Sequence, residues 1–471
     1  MSRRYFIAFG SMAFAQIGTT LIQLAFSIYT TRFFEPKDFG AYAVALSLLS
    51  LIGIFSQLGL GNAVSRIDVT RKSEISAIFW FSTIVGLFGT ILTIILATTW
   101  STSWSLEGSK ILIILLAPII FISVTTNVLI GITIKRELFE SLSVIRLFSA
   151  LLSAITSYIV IKNLHSYTTL ATYPLVFNSI LLLALIILNL NFLKLRIETY
   201  NLRPNLKFAI LTFRTSLARY IIFILPTYMI SKIFGAIILG NWNRAVTFFQ
   251  VPVEQVTGAL RNILYPKYAA LNHSPKQLMT NVENILMTFS VYLTPLSLFS
   301  AAFVDDLIRE MFPLRWQFLP EMSQYFCLSI AIVTLSNITE TILETADRQS
   351  ICVRSVIFGG FSILISCTTS YIFGSWHILG LIPLTSAACI HFSQIFLCKQ
   401  ELGFEAMPLL RTYAFSILHS SLIMVLIFEI KKNLTFDIKT FAFFAIAIYI
   451  IYIYFLKLRQ FSLKSIFEIS D

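Results

Sequence analysis

Four arginines and one glutamate lie inside otherwise apolar stretches near the middle of the chain: Arg214, Arg219, Arg244, Arg261 and Glu254. A charge in hydrocarbon costs about 2.5–3.5 kcal/mol even on a mild insertion scale, so each must face a cavity, a partner or the interface. Counting helical rise from the turn near Lys232–Gly240, Arg219 lies roughly 20 Å below it and Glu254 roughly 21 Å. At those depths the two can pair. Arg214 and Arg261 lie deeper, and Arg244 lies near the mouth. The result is a ladder of cations of which one is neutralised. It serves either to anchor lipid headgroups around one ion pair or to handle an anion in a cavity. A diphosphate suits the second role, because the planar guanidinium fork binds phosphate oxygens bidentately. Neutral polar side chains, Gln16, Gln23 and Asn62, sit in the first two apolar stretches. Gln16 and Gln23 share one helical face. They either hydrogen-bond between helices or line a cavity.

The elements that position these residues follow from composition. Of 471 residues, 57% are apolar and 12% charged. Mean hydropathy is +0.82. A water-soluble fold of this size could not hide so much apolar surface, so lipid is the solvent for most of it. Apolar runs of helical-span length recur along the whole chain, whereas the short alternating strands of a membrane barrel are absent. We therefore expect an all-α polytopic membrane protein with about fourteen transmembrane helices. The expected spans are 5–31, 41–64, 76–99, 111–134, 142–161, 169–193, 208–231, 241–264, 284–304, 322–343, 351–373, 378–398, 412–430 and 440–456. Pro226 and Pro252 are expected to kink the seventh and eighth.

The net charge of +12 is concentrated in short loops. That is the pattern of a positive-inside bias and not of a nucleic-acid surface. One set of loops, which includes Arg3, Arg66, Lys135, Arg196, Lys267, Arg348, Lys399 and Lys457, carries about twice the Lys and Arg of the other set. That face is expected to be cytoplasmic, with both termini on it. The longest central connection, Lys194–Lys207, divides the chain. The expected domains are 1–203 (spans one to six), 204–400 (spans seven to twelve) and a C-terminal helix pair, 401–471.

Motifs for chemistry are missing. There is no P-loop, no nucleophile elbow and no zinc-ligand spacing, and neither the five cysteines nor the five histidines cluster. The expectation is a protein that is not an enzyme and has no cofactor and no metal.

The chain also echoes itself. The hairpin Tyr29–Arg66 aligns with Met229–Pro266, so that Arg32 faces Lys232, Phe34 faces Phe234, Gly40 faces Gly240 and Tyr42 faces Trp242. The matches fall at the punctuation: the cation, the turn glycine and the interfacial aromatic. A half-length repeat in a membrane protein indicates two bundles with a substrate path between them. The copies differ in charge. Where the first has Val44, Ile54 and Gly61, the second has Arg244, Glu254 and Arg261.

Four stretches carry a family resemblance: Thr31-Arg32-Phe33-Phe34-Glu35-Pro36-Lys37-Asp38-Phe39-Gly40-Ala41-Tyr42; Gln57-Leu58-Gly59-Leu60-Gly61-Asn62-Ala63; Val251-Pro252-Val253-Glu254-Gln255-Val256-Thr257-Gly258-Ala259-Leu260 followed by Leu264-Tyr265-Pro266; and Asp306-Leu307-Ile308-Arg309 with Arg315-Trp316. With them the chain resembles the multidrug/oligosaccharidyl-lipid/polysaccharide exporter superfamily, over about residues 1–400. Within that superfamily it resembles the Wzx-type polysaccharide and lipopolysaccharide O-unit flippases related to the colanic acid exporter. It departs from them at Gln57, where many members have Asp, and at Thr345-Ala346-Asp347-Arg348, where a glycine usually precedes the basic residue.

The resemblance implies two six-helix lobes around a central cavity in the bacterial inner membrane. It implies a flippase for undecaprenyl-diphosphate-linked oligosaccharide units, working by alternating access. The implied partners are the lipid-linked substrate and membrane lipid, with a polysaccharide polymerase and a chain-length regulator as candidates. The rival readings are a cation-coupled drug antiporter of the same superfamily, a membrane glycosyltransferase or polymerase, and an exporter subunit with a separate ATPase. A drug antiporter should favour buried acids, whereas here the buried cations outnumber them. A glycosyltransferase generally needs a larger extramembrane loop than Asp305–Pro320.

Overall fold

A bilayer core leaves a backbone amide no partner outside its own chain, so apolar segments of this length should close their hydrogen bonds within helices. The computed structural model describes residues 3–57, 72–190, 203–255, 257–258, 275–345, 348–403 and 405–433. Every regular element among them is helical. The first are α1 (Arg3–Thr30), α2 (Pro36–Gln57), α3 (Lys72–Ser103), α4 (Ser109–Leu116), α5 (Pro118–Lys135), α6 (Phe139–Leu164) and α7 (Thr172–Asn189). The long α8 (Arg203–Ala245) runs into a π-helical turn, Val246–Gln250. Then come α9 (Pro275–Met311), α10 (Leu319–Thr345), α11 (Gln349–Phe373), the short α12 (Trp376–Gly380), α13 (Ile382–Leu402) and α14 (Ala406–Asn433).

Nine stretches among the described residues are long and apolar enough to cross a membrane. The helices α13 and α14 stand where the twelfth and thirteenth spans are expected, and the expected fourteenth, 440–456, lies outside the described residues.

Helix ends follow local chemistry. Pro36 opens α2 at the position where a missing N–H costs nothing. The Glu35 amide donates to the Asp38 carboxylate at 2.9 Å, half of a capping box. At the other end of its bundle, the Arg136 guanidinium donates to the Leu188 carbonyl and the Asn189 side-chain oxygen, both at 2.9 Å, and so covers the carbonyl end of α7. Hydroxyls inside the helices turn back on their own backbone, as Thr93 does to Gly89 and Thr339 to Leu335. That satisfies them without water.

The chain divides into two compact units, Met1–Asn243 and Arg244–Asp471. The sequence-based lobe boundary, at 203/204, falls earlier. The helix between the two boundaries, α8, packs with the first unit, as its hydrogen bonds below explain. Within the first unit α1 lies along α6, α3 along α5, and α2 against α3 and α4. Val128, Leu129, Leu185 and Ile78 fill one core, and Leu48, Leu112 and Ile113 fill another. Within the second unit α9 lies along α10 and α14, and α13 along α10 and α11, around Leu286, Ile342, Ile351 and Leu409. Phe88, Ile95, Phe148, Ile155, Ile365 and Phe373 point outward and exposed. Such an apolar surface suits hydrocarbon and would be untenable in water.

The second copy of the repeat is tighter than its sequence indicates. The turn expected over Lys232–Gly240 is compressed to one residue, Gly235, at φ 80 and ψ −173, and helix continues on both sides. Gly235 is the register counterpart of Glu35, so both copies restart helix at the same place: Pro36 in one, Ala236 in the other. The backbone at Pro226 stays helical, and the non-helical residue of this stretch is Gly235.

The dihedrals of Gly235 belong to a region essentially confined to glycine. Gly235→Ala should therefore destabilise the protein by about 1–3 kcal/mol. Thermal unfolding of the detergent-solubilised variant against the parent measures this, and an unchanged melting temperature would contradict it.

Candidate functional site

The residues nominated from sequence are distributed as follows. Arg214 and Arg219 lie on α8, but their side chains fall outside the described residues, as do Arg261 and Asn62 entirely. The expected Arg219–Glu254 pair is therefore not observable. Arg244 is described and buried, 5% exposed, one residue before the end of α8. Five residues of π-helix follow immediately, closed by the Val251 amide donating to the Val246 carbonyl. Pro252 accounts for this widening. It has no N–H to donate to the residue 248 carbonyl and its ring would press on it, so the helix relaxes before the proline is reached. The kink expected at Pro252 thus takes the form of a π-turn next to the buried guanidinium.

Glu254 is exposed, and its carboxylate accepts a 2.8 Å hydrogen bond from Gln250, within the same turn. The π-turn is braced by Phe248, edge-on to Phe312 at 5.2 Å. One turn on, the Thr257 hydroxyl donates to the Glu254 carbonyl at 3.0 Å, and Asn337 of α10 donates to Thr257 at 3.5 Å.

On α1, Gln16 is partly buried and Gln23 exposed. The Gln16 side-chain oxygen accepts from the Arg146 guanidinium of α6 at 3.3 Å. From sequence, Arg146, Arg32 and Arg354 each lie close enough to a span end to snorkel. Arg32 is exposed, and Arg354 pairs with Glu401. Arg146 instead reaches across to a polar side chain on a neighbouring helix.

Sequence reasoning missed what holds α8 in place. The Tyr220 hydroxyl donates to the Ser47 carbonyl of α2 at 2.8 Å. The Tyr228 ring meets Trp104 edge-on at 5.1 Å, and the Ser231 hydroxyl donates to the Trp104 carbonyl at 3.0 Å. Lys232 donates to the Ser105 hydroxyl at 2.8 Å. Trp104 is itself buried and ends α3's bundle beside Trp100. The one available signal was a run of residues with both an apolar body and a polar tip (Tyr220, Tyr228, Lys232). Their spacing does not distinguish a partner helix from the membrane interface.

A second polar cluster, in the unit Arg244–Asp471, was also missed. His391 Nε2 and the Tyr413 hydroxyl lie 2.8 Å apart, both buried. One turn along α13, Gln394 is buried with its oxygen 3.5 Å from the Ser336 hydroxyl. These contacts tie α13 to α14 and α10. Among the described residues no group of three or more His, Cys, Asp or Glu is placed to hold a metal.

The arrangement suits binding: it presents a buried guanidinium beside a non-standard helical turn in a helix long and apolar enough to cross a membrane. Arginine at such a place offers five donors and a permanent charge to an anion.

Comparison with known proteins gives a consistent result. The profile of a family described as "Polysaccharide biosynthesis protein" matches residues 30–319. The chain is 23% identical over 440 residues to an uncharacterized membrane protein in the cps region of Klebsiella pneumoniae, covering 89% of each. It is 21% identical over 355 residues to the lipopolysaccharide biosynthesis protein WzxC of Escherichia coli K12, covering 73% of this chain and 70% of that one. Among solved structures, the lipid II flippase MurJ in an inward closed conformation superposes with a TM-score of 0.76 at 12% identity, over 96% of this chain and 99% of that one. At that identity the likeness is one of fold.

The α8 anchors make a graded prediction. Tyr220→Phe removes a single interhelical hydrogen bond and should cost about 0.6 kcal/mol. Trp104→Ala removes a buried aromatic and its contact with Tyr228 and should cost about 3–5 kcal/mol. Thermal melts of the two purified variants should differ clearly, and equal losses would show that the Trp104 contact does not hold α8.

Proposed function

The chain belongs to the polysaccharide biosynthesis protein family, and we propose that it is a flippase moving undecaprenyl-diphosphate-linked oligosaccharide repeat units across the bacterial inner membrane. The observation that carries this reading is Arg244. Its guanidinium is buried in a helix long and apolar enough to cross a membrane, next to a π-helical turn, and offers a permanent charge and several donors in a planar fork. A diphosphate supplies the matching oxygens. The named relative in lipopolysaccharide biosynthesis supports a substrate of this class.

In this reading fourteen helices form two six-helix lobes, 1–203 and 204–400, with a helix pair at 401–471. Both termini lie in the cytoplasm. Arg214, Arg219, Arg244 and Arg261 meet the diphosphate during alternating access, and Gln16, Gln23, Asn62 and Glu254 line the polar remainder of the path. A polysaccharide polymerase and a chain-length regulator act next to it in the membrane. The protein transports and makes or breaks no covalent bond.

Removing the gene should make the lipid-linked repeat unit accumulate on the cytoplasmic leaflet and abolish surface polysaccharide. In the complemented strain, Arg244→Ala should lower export about 10- to 100-fold. That is the equivalent of one charged hydrogen-bonding group, about 1.5–3 kcal/mol. Arg244→Lys, which keeps the charge and loses the fork, should fall in between. Unaltered export by Arg244→Ala, at matched protein levels, would remove Arg244 from the path. Absence of any accumulated lipid-linked sugar in the deletion strain would overturn the function.

A further inference from the structure

Three helices of the unit Arg244–Asp471 enclose a cavity of about 490 Å³. Its wall includes Leu298, Asp305 and Asp306 of α9, Gln324 and Leu328 of α10, and Met424 of α14. The acids come just before the end of α9 and Gln324 just after the start of α10, so the three share one end of the cavity. Leu298 lies about 10 Å further in. Hydrogen bonds close the floor. The Ser297 hydroxyl of α9 donates to the Cys327 and Leu328 carbonyls at 2.6 and 2.9 Å, and the Ser416 hydroxyl of α14 donates to the Ser290 carbonyl at 3.0 Å. An apolar slot of this size with a few polar groups has the form of a small-ligand site.

Charge and exposure narrow the ligand. The wall holds two carboxylates and no basic side chain. Arg309 stands one turn past Asp305, exposed and outside the wall, and its Nε and Nη2 donate to that carboxylate at 2.8 and 3.1 Å. An acid in the wall and a guanidinium about 5 Å along the helix match an ammonium and a phosphate joined by two carbons. Leu307 of α9 and Leu422 and Val425 of α14 are exposed. An edge of that kind suits hydrocarbon, so the ligand enters from the bilayer.

We propose that this cavity binds a phospholipid with an ethanolamine headgroup. The ammonium meets Asp305 and Asp306, the phosphate meets Arg309, and the Gln324 amide donates to an ester oxygen. One acyl chain fills the slot between Leu298, Leu328 and Met424, and so packs α14 against α9 and α10. The site lies within this one unit and does not depend on the flippase reading.

The full-length protein is reconstituted in nanodiscs of equal parts phosphatidylethanolamine, phosphatidylcholine and phosphatidylglycerol. It is then extracted in mild detergent, and the lipids it retains are counted by native mass spectrometry. Phosphatidylethanolamine should be retained about tenfold over phosphatidylglycerol, which has no ammonium. Phosphatidylcholine should fall between them, because its ammonium has no N–H to donate. Asp305→Asn combined with Asp306→Asn should remove the preference. Asp306→Lys should turn it toward phosphatidylglycerol, which a purely structural role for the acid would not do. Ala302→Phe, which fills the slot, should lower retention of all three. Equal retention of the three lipids by the parent, a preference that survives the acid variants, or retention unaffected by Ala302→Phe would each overturn the site. So would displacement of phosphatidylethanolamine by an equimolar polyprenyl phosphate, which would mark the slot as the place of a substrate tail.

Discussion

Hydrocarbon offers no hydrogen-bond partner, and the architecture of this protein follows from that. Each apolar segment must satisfy its own amides and carbonyls, so it is helical. Hydroxyls inside it bond to the carbonyl one turn back, and the polar ends are closed by specific side chains, as Asp38 closes the start of α2. Because lipid competes as well as any side chain for apolar surface, helices are not driven together by burial alone. What joins them here is small residues that let backbones touch, and polar groups that find one another: Tyr220 and Ser47, Ser231 and Trp104, Arg146 and Gln16.

The same solvent explains why the charged residues are informative. In water a buried arginine is one polar group among many. In a membrane-crossing helix its presence must be offset locally. Arg146 finds a neutral oxygen on the adjacent helix. Arg244 sits buried at the end of α8, where a π-turn interrupts the regular ladder. The first use is accounted for by helix packing, while the second places charge beside irregular backbone.

The chain carries two hairpins that align in register, and they differ in detail. Both restart helix at the same position, and each brings a glycine, Gly40 or Gly240, against the backbone of the other. Yet the first enters through a hydrogen-bonded turn over Thr31–Glu35, and the second through the single backbone reversal at Gly235. Val44 and Arg244 occupy equivalent places, both buried, one apolar and one cationic. The aligned positions of the two hairpins therefore differ in charge.

Much of this was legible without coordinates. Composition alone determined that lipid is the solvent, because no soluble fold could hide so many apolar side chains. Helical class came from run length. The repeat register came from punctuation residues, whose roles at turns are local. Three things belonged to the tertiary structure. The turn read over Lys232–Gly240 is a break one residue wide, at Gly235, and the sequence, apolar on both sides, does not show how narrow it is. The attachment of α8 to α2 and α3 depends on which neighbour Tyr220 and Ser231 reach, and an aromatic or hydroxyl in a span reads the same whether it meets a helix or lipid. The crossing of Gly40 and Gly240 needs two backbones, two hundred residues apart in sequence, to touch. A glycine shows in sequence only that a side chain is missing. What occupies the vacated space is decided by the fold.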